Sequence, residues 1–130
     1  MYWITHAAVG AAIGSRIQDP MLGIVAGLLS HAVLDAIPHS DYEGAEFGIV
    51  DFVAGALFVT GFALDRAGPG SVWAIAGATF PDLEVALAEF GLIDRLWFPS
   101  HSGLLTHGRL GGILGVIIQG LTLGLALSFL

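Results

Sequence analysis

The sequence predicts an all-α protein, a compact multi-pass transmembrane bundle of about five helices. Of its 130 residues, 55% are hydrophobic and 12% are charged, whereas ordinary soluble domains are about 45–50% apolar and about 25% charged. The mean hydropathy is +0.84, and a small soluble domain has too much surface to cover so many apolar side chains. Five apolar segments alternate with short polar turns, and a helix satisfies its own backbone hydrogen bonds in lipid. We therefore expect one domain, residues 1–130, embedded in a lipid bilayer.

The charge and cysteine counts exclude several classes of protein. The chain has no cysteine, which excludes disulfides and thiolate metal sites. Four arginines and no lysine stand against 11 carboxylates, for a net charge of −7, so no basic footprint for nucleic acid exists. The sequence also lacks a glycine-rich phosphate loop, a nucleophile elbow and a dinucleotide fingerprint.

The first two elements are separated by a turn that contains proline. Residues 3–17 form a short apolar segment rich in alanine and glycine. In the "QDP" that follows, Asp19 can cap a second helix and Pro20 suits its first position. The second helix covers "MLGIVAGLLSHAVLDAI", residues 21–37, and should stop or kink at Pro38.

A turn rich in glycine and proline separates the third and fourth elements. The third apolar run covers residues 47–64 and ends at "DRAGPGS", a typical turn sequence. Ser71, at the end of this turn, can cap the fourth helix. That helix reads "SVWAIAGATFPDLEVALAEF", and Pro81 should interrupt it.

The C-terminal part combines an aromatic loop with an uncharged apolar segment. "GLIDRLWFPSHSG", residues 91–103, is expected to be a loop at the membrane interface. Residues 110–130 carry no charge and are long enough to cross a bilayer as a helix. Small residues four apart let helices approach closely in lipid, so a homo-oligomer is permitted by three glycine pairs: Gly10 and Gly14, Gly111 and Gly115, Gly120 and Gly124.

Threading the five helices back and forth across the bilayer brings all five histidines to one end of the bundle. The turns near Arg16 and Arg66 then lie at the other end. The polar residues at or near the histidine end are His6, His31, Asp35, His39, Asp41, Asp51, Asp82, His101 and His107. Clustering near helix ends does not account for His31, Asp35 and Asp82, which lie inside apolar runs. A buried charge usually has a partner or a metal ion, so the pattern indicates a shared polar site.

His31 and Asp35 are the best-spaced pair in this set. They are four residues apart on the predicted second helix, so their side chains lie one turn apart on the same face. This spacing lets two ligands from one helix reach one cation, and His39 extends the row if Pro38 only kinks the helix. For this pair alone, the alternative is a His–Asp hydrogen bond within the core.

Two short motifs place further histidines at the same end. "THAAVG" (residues 5–10) and "THGRLG" (106–111) share the pattern Thr-His-x-x-x-Gly. In each, the threonine can cap a helix and leave His6 or His107 in its first turn. "SHSGLLTH" supplies His101 as well. The alternative is a coincidental match in a glycine-rich chain.

The acidic residues have several possible roles. In "FPDLE", Pro81 would open the backbone and direct Asp82 and Glu84 into the interior. The alternative is that Asp82 caps a helix that restarts at Pro81. Asp51 can bind a metal ion, accept a hydrogen bond from a ligand histidine, or lie at the level of the lipid headgroups.

Imidazoles and carboxylates without thiolates suit a divalent transition metal, with zinc as the first choice and manganese or iron as the alternatives. The set exceeds what one tetrahedral zinc ion requires, and two ions bridged by an aspartate would use the additional groups. Two such ions can stabilise the attacking and the leaving oxygen in phosphoester cleavage. Glu84 or Asp41 is the candidate general base, because a carboxylate beside activated water can take its proton.

These motifs resemble the YdjM-type family of membrane-bound, metal-dependent hydrolases. The resemblance rests on the N-terminal "TH" with its downstream glycine, "AGLLSHAVLDAIPH", "GATFPDLE" and "SHSGLLTH". The family pattern in the third motif is Pro-Asp-x-Asp, often followed by histidine, whereas this chain has Glu84 and Val85 there. The resemblance implies a helical membrane protein with a metal-dependent hydrolytic site.

"HAVLDAIPH" is also similar to the metal-binding helix of zinc-dependent phospholipase C and the related single-strand nucleases. This similarity implies that His31 and Asp35 are metal ligands, that Asp35 can bridge two ions, and that His39 is a further ligand. His6 matches the early Thr-His of the same phospholipase group.

The sequence thus predicts a multi-pass membrane protein that hydrolyses a phosphoester or lipid-like substrate near the membrane surface. The expected metal ligands are His31, Asp35, Asp82 and His107, followed by His6, His39 and His101. One alternative is a metal-binding or metal-translocating membrane protein without catalysis, and another is a purely structural polar cluster. The other half of the bundle offers few polar groups for an ion path: Ser15, Arg16, Thr60, Asp65, Gln119 and Thr122.

Overall fold

The computed structural model describes residues 1–42, 44–65 and 67–130, and in this part of the chain five helices are joined by loops, without a β-strand. An isolated bridge pairs His39 with Arg109. Arg66, which the sequence places in a turn at the far end, lies outside the described residues, as does Glu43. The all-α prediction is confirmed for the described residues, whose helices are α1 (Trp3–Gly14), α2 (Pro20–Ala36), α3 (Ala45–Asp65), α4 (Pro69–Glu89) and α5 (Ile113–Leu127).

The core is built by close contact between α4 and the first two helices. A Cβ atom at Gly27 on α2 would lie 2.2 Å from the Ala74 carbonyl oxygen on α4, and one at Gly77 on α4 would lie 2.3 Å from the Ile24 carbonyl oxygen. Only glycine allows the two backbones to approach this closely. The helices therefore meet through small residues, and most of the buried apolar residues are alanines.

The start of α2 agrees with the prediction, and its end shows which of the two predicted effects Pro38 has, a stop or a kink. Asp19 caps the helix, since its Oδ1 accepts a hydrogen bond from the Leu22 amide at 2.8 Å, and Pro20 occupies the first turn. The helix stops at Ala36, so Pro38 ends it rather than kinking it. His39 consequently lies in the following loop and does not extend the helical row of ligands.

Two predictions for α4 are wrong. The helix begins at Pro69, with Gly68 as its N-cap, because proline suits the first helical turn. Ser71 therefore lies inside the first turn, with its buried Oγ unpaired, and is not the cap. Pro81 does not interrupt α4, which continues to Glu89. A proline removes one backbone hydrogen bond from a helix, and the packing of α4 against α1 and α2 compensates for this loss.

The last apolar segment forms a shorter helix than the sequence predicts. Residues 110–112 precede α5, and Gly112 has a φ of 76°, which interrupts the helical backbone. The 15 residues of α5 extend about 22 Å, less than the ~30 Å hydrocarbon core of a bilayer. Within the described residues, one helix is long and apolar enough to cross a membrane: Glu46–Asp65, with a hydropathy of 2.0.

One end of the bundle gathers the segments that carry the polar residues. The first turns of α1, the last turns of α2 and the middle of α4 meet there with two loops. The loops pair with each other, since the His39 amide donates to the Gly108 carbonyl at 2.8 Å and the Leu110 amide donates to the His39 carbonyl at 2.7 Å. This pairing places the loop that follows α2 beside the segment that precedes α5.

Candidate metal centre

Asp35 lies at the centre of a cluster that includes all five histidines. Its Oδ1 lies 3.3 Å from His6 Nε2, and its Oδ2 lies 3.0 Å from His31 Nε2 and 3.2 Å from His101 Nε2. Ser100 donates a hydrogen bond from its Oγ to the same Oδ2 at 2.6 Å. Asp35 is fully buried, so the cluster surrounds a carboxylate that water does not reach.

Two of the histidines have their protonation fixed by backbone carbonyls. His31 Nδ1 lies 2.7 Å from the Ala78 carbonyl oxygen, and His39 Nδ1 lies 2.7 Å from the Ile37 carbonyl oxygen. A carbonyl only accepts hydrogen bonds, so each Nδ1 carries the proton and donates it. The lone pair of each Nε2 then points into the cluster, which is the usual orientation of a metal-binding imidazole.

The first set of candidate ligands is formed by His31, Asp35 and His101. The distances among His31 Nε2, Asp35 Oδ2 and His101 Nε2 are 3.0, 3.2 and 3.3 Å. Ligands 2.0–2.1 Å from a tetrahedral zinc ion are separated by about 3.3 Å. Asp82 Oδ1 lies 3.9 Å from both imidazole nitrogens, close enough to complete the set. The spacing of the three atoms of His31, Asp35 and His101 therefore fits a tetrahedral zinc ion, and Asp82 lies slightly farther away than a fourth ligand would.

A second set lies on the other side of Asp35. His39 Nε2 lies 3.2 Å from His107 Nε2, and His107 Nδ1 lies 3.8 Å from Asp35 Oδ2. Ligand atoms of Asp35, His39 and His107 all fall within 4.8 Å of one another. The Met1 ammonium donates to Asp35 Oδ1 at 3.2 Å and to His39 Nε2 at 2.8 Å. Asp35 is thus shared by both sets, as a bridging ligand would be.

Unpaired polar atoms lie at the heart of the cluster. Among the described residues, His6 Nδ1 and Asp82 Oδ2 are buried without a hydrogen-bond partner, and His6 Nε2 has only its 3.3 Å contact with Asp35 Oδ1, which is not a hydrogen bond, although such groups are normally paired. The His6 ring stacks on His31 with centroids 4.0 Å apart, and ligand atoms of His6, His31 and Asp82 lie within 4.8 Å of one another. These orphaned nitrogen and oxygen atoms are zinc ligands by type, so the residues present fit a divalent transition metal.

Glu84 supports the cluster from behind. Its two carboxylate oxygens accept hydrogen bonds from the Trp97 and Phe98 amides, each at 2.8 Å. His101 Nδ1 donates to Glu84 Oε1 at 3.1 Å, which directs His101 Nε2 towards Asp35. Both oxygens of Glu84 are therefore committed to the loop and to His101.

Asp51 lies apart from the histidines. It accepts hydrogen bonds from the Trp3 amide at 2.6 Å, the Ile4 amide at 3.3 Å and the Tyr42 hydroxyl at 2.5 Å. These bonds satisfy the free amides at the start of α1, which lacks a side-chain cap of its own. These contacts support neither of two roles predicted for Asp51, which were to bind a metal ion and to accept a hydrogen bond from a ligand histidine.

Two residues of this end were missed by the sequence analysis. Ser100, which holds Asp35, is adjacent to His101 in "SHS", and that polar triplet was a usable signal. Gln119 was placed in the other half of the bundle, and this was wrong. Its Oε1 accepts from the Tyr2 amide at 2.7 Å and its Nε2 donates to the Ser40 carbonyl at 2.8 Å, which ties α5 to the histidine end.

The loop residues show how the charges of the cluster interact. The close contact with the His39 ring, reinforced by nearby positive charge, lowers the pKa of Asp41 to about 2, against the opposing effect of burial. Burial acts to lower the pKa of His101, but its close contact with Asp35 and the negative charge there raise it above the ordinary value. Burial lowers the pKa of His107. Asp41 is consequently ionised at neutral pH.

An apolar groove borders the centre. It encloses about 320 Å³ and shares two wall residues, Glu84 and Phe98, with the surroundings of the histidines. The Phe98 ring meets His31 edge-on, with centroids 5.1 Å apart. The remaining walls come from α4 and the aromatic loop: Phe80, Pro81, Leu83, Leu87, Ile93, Trp97 and Pro99.

The structure thus brings together the seven predicted metal ligands, His6, His31, Asp35, His39, Asp82, His101 and His107, and it places Glu84 and Asp41 at the edges of the cluster. No protein-family model, curated protein or solved structure matches this chain. The resemblance to YdjM-type hydrolases therefore stays a prediction from the motifs.

Proposed function

We propose that this chain is a membrane-embedded, metal-dependent hydrolase whose substrate is a phosphoester or a lipid-like ester. The observation that carries the proposal is the set of Nε2 and carboxylate atoms that face one another at 3.0–3.3 Å around Asp35. The outer Nδ1 atoms of His31 and His101 point at the Ala78 carbonyl and at Glu84, which leaves their inner Nε2 atoms available to bind a cation. A structural His–Asp cluster would instead place a proton in each short contact.

The ligand sets suit two ions with Asp35 between them. His31, Asp35 and His101, with His6 and Asp82, would hold one ion, and Asp35, His39 and His107 would hold the other. When bound, zinc supplies a Lewis acid that activates water and stabilises negative charge on the substrate oxygen. The buried first set would hold its ion firmly, whereas the second set lies nearer the surface.

Asp41 is the carboxylate best placed to act as the general base. It is 42% exposed, and its Oδ1 lies 3.3 Å from His39 Nε2 and 3.5 Å from His107 Nε2. At neutral pH it is ionised and can accept a proton from a water molecule at the second set. Glu84 is committed to the Trp97 and Phe98 amides, so we assign it the positioning of His101 instead.

The exposed surface supports a membrane location with several spans. Of the Glu46–Asp65 span, only 17% is buried, although this segment is almost wholly apolar. Large apolar side chains also face outwards on α2 and α5, among them Leu29, Val33, Leu121 and Leu125. Exposed apolar surface on this scale indicates contact with lipid or protein. A lipid bilayer can accommodate helices that are shorter than its own thickness by thinning around them.

Metal analysis of the detergent-purified chain tests the proposal. We expect one or two equivalents of zinc in the wild type and a loss of at least one equivalent in His31→Ala. Asp94→Asn, in the exposed loop after α4, serves as a control that keeps the metal. The metal-loaded protein should hydrolyse p-nitrophenyl phosphate or bis(p-nitrophenyl) phosphate, and Asp41→Asn should lower kcat by roughly 100- to 10,000-fold while keeping its metal.

Two outcomes would contradict the proposal. Folded wild-type protein that takes up neither zinc nor manganese would leave a structural polar cluster. Protein that binds metal stoichiometrically but cleaves no ester would favour a metal-binding protein without catalysis.

A further inference from the structure

We propose that Arg109 binds the phosphoryl oxygens of the substrate, so that the scissile group is a phosphoester rather than a carboxylic ester. This inference rests on the proposed metal-dependent hydrolase and names the substrate class of the same site. Three features of the structure support it: the fixed backbone of Arg109, the free end of its side chain, and the charge of its surroundings.

The backbone of Arg109 is held beside the second ligand set. The residues on either side of it bond to the His39 backbone, through the Gly108 carbonyl at 2.8 Å and the Leu110 amide at 2.7 Å. The Gly108 amide also donates to the Asp35 carbonyl at 2.7 Å. The Arg109 side chain therefore starts from a position that is fixed relative to two candidate ligands.

The side chain of Arg109 reaches the rim of the centre and leaves most of its donors available. Its Nε forms an ion pair with Asp41 Oδ2 at 2.9 Å, while the side chain is 78% exposed. The other oxygen of Asp41 faces His39 and His107, so one carboxylate separates the guanidinium from the second set. Within the described residues, neither Nη group has a hydrogen-bond or ion-pair partner. A guanidinium offers paired donors that match phosphate oxygens.

The Met1 ammonium lies inside the cluster, on Asp35 and His39, whereas Arg109 is a cation at its exposed edge. Asp35, Asp41, Asp82 and Glu84 surround the histidines, and a phosphoester brings further negative charge. Arg16 cannot serve, because it contacts the Ala12 carbonyl and the Phe129 ring at the opposite end. In the described part of the chain, Arg109 is the arginine that contacts the cluster, through Asp41. Its exposed pair with Asp41 is weak, so an incoming phosphoryl group can replace that contact.

This arrangement distinguishes the two classes of ester. A phosphoester carries a negative charge on non-bridging oxygens, of which one can bind a metal ion and another the guanidinium. A carboxylic ester is neutral and offers one carbonyl oxygen, which the metal ion alone would bind. An arginine at the rim therefore contributes to recognition of the first class only.

Binding of inorganic phosphate to the zinc-loaded full chain in detergent tests this assignment without relying on turnover. Isothermal titration calorimetry should show roughly 10- to 100-fold weaker phosphate binding for Arg109→Ala, with unchanged zinc content. Arg109→Lys should recover part of the affinity, because it keeps the charge and loses the paired geometry. Arg95→Ala, which removes an exposed arginine from the earlier part of the same connection between α4 and α5, should bind phosphate like the wild type. In kinetics, Arg109→Ala should raise KM for p-nitrophenyl phosphate.

The failures of the two proposals are distinguishable. Wild-type protein that binds no zinc would contradict the proposed metal-dependent hydrolase. Zinc-loaded protein in which Arg109→Ala binds phosphate within twofold of the wild type overturns the role of Arg109 and leaves the metal centre intact. Loss of zinc from Arg109→Ala would overturn it too, because the arginine would then act by holding Asp41 in place.

Discussion

Replacing Glu84 with glutamine separates a positioning role from a catalytic one. Glu84 accepts three hydrogen bonds, from the Trp97 and Phe98 amides at 2.8 Å and from His101 Nδ1 at 3.1 Å. A glutamine side chain has one oxygen, and its amide group cannot accept. In Glu84→Gln the loop therefore loses an acceptor and His101 loses its charged partner. Loss of such a partner typically lowers metal affinity 10- to 100-fold, or about 1.4–2.8 kcal/mol.

The assay is competition for zinc between the purified protein and a chromophoric chelator. Glu84→Gln should release zinc at correspondingly lower chelator concentration. Glu89→Gln, an exposed substitution on the same helix, should match the wild type. Unchanged zinc affinity in Glu84→Gln, together with a loss of hydrolysis as large as that of Asp41→Asn, would refute the positioning role and restore Glu84 as the general base.

Three further predictions concern stability. Gly27→Ala places a Cβ 2.2 Å from the Ala74 carbonyl oxygen. We expect it to lower the free energy of unfolding, measured with denaturant in detergent, by roughly 1–3 kcal/mol or more. In the control Gly120→Ala, the new Cβ meets no described atom within 4 Å, so the stability should be unchanged or higher. Asp51→Ala removes the acceptor for the first amides of α1 and should cost about 0.5–2 kcal/mol, with zinc content unchanged by metal analysis. Chelation should lower the thermal unfolding temperature of the wild type, since an ion that binds only the folded state stabilises it, and an unchanged temperature would indicate that no ion is bound.

Local signals in the sequence were sufficient for most of the fold. Asp19 and Pro20 mark the start of α2, and Pro38 follows its end, because caps and prolines act within one turn. The same signals failed at Ser71 and Pro81. Whether a proline ends a helix or remains inside it depends on the packing of both flanks, and α4 is held along its length by α1 and α2.

The candidate site was predictable as a set of residues but not as an arrangement. The spacing of His31 and Asp35 and the alternating direction of the helices are sufficient to bring the histidines to one end. The roles of Ser100, Glu84 and Asp51 depend on contacts between residues 65, 14 and 48 positions apart, for which one sequence contains no periodic signal. Asp51 shows this most clearly, because a carboxylate that caps another helix looks the same in the sequence as one that binds a metal ion.

The small residues of the helix core and the polar cluster at its end are physically connected. A core of alanines and glycines lets α1, α2 and α4 approach closely, and this brings His6, His31 and Asp82 within ligand distance of one another. The same core contributes little apolar burial per residue, because small side chains remove little surface from water. Buried ionised groups are costly unless a counter-charge compensates them. A bound divalent ion would provide that charge and would also link helices that small side chains hold only through backbone contact, so the site that gives the protein its proposed activity is also expected to stabilise its fold.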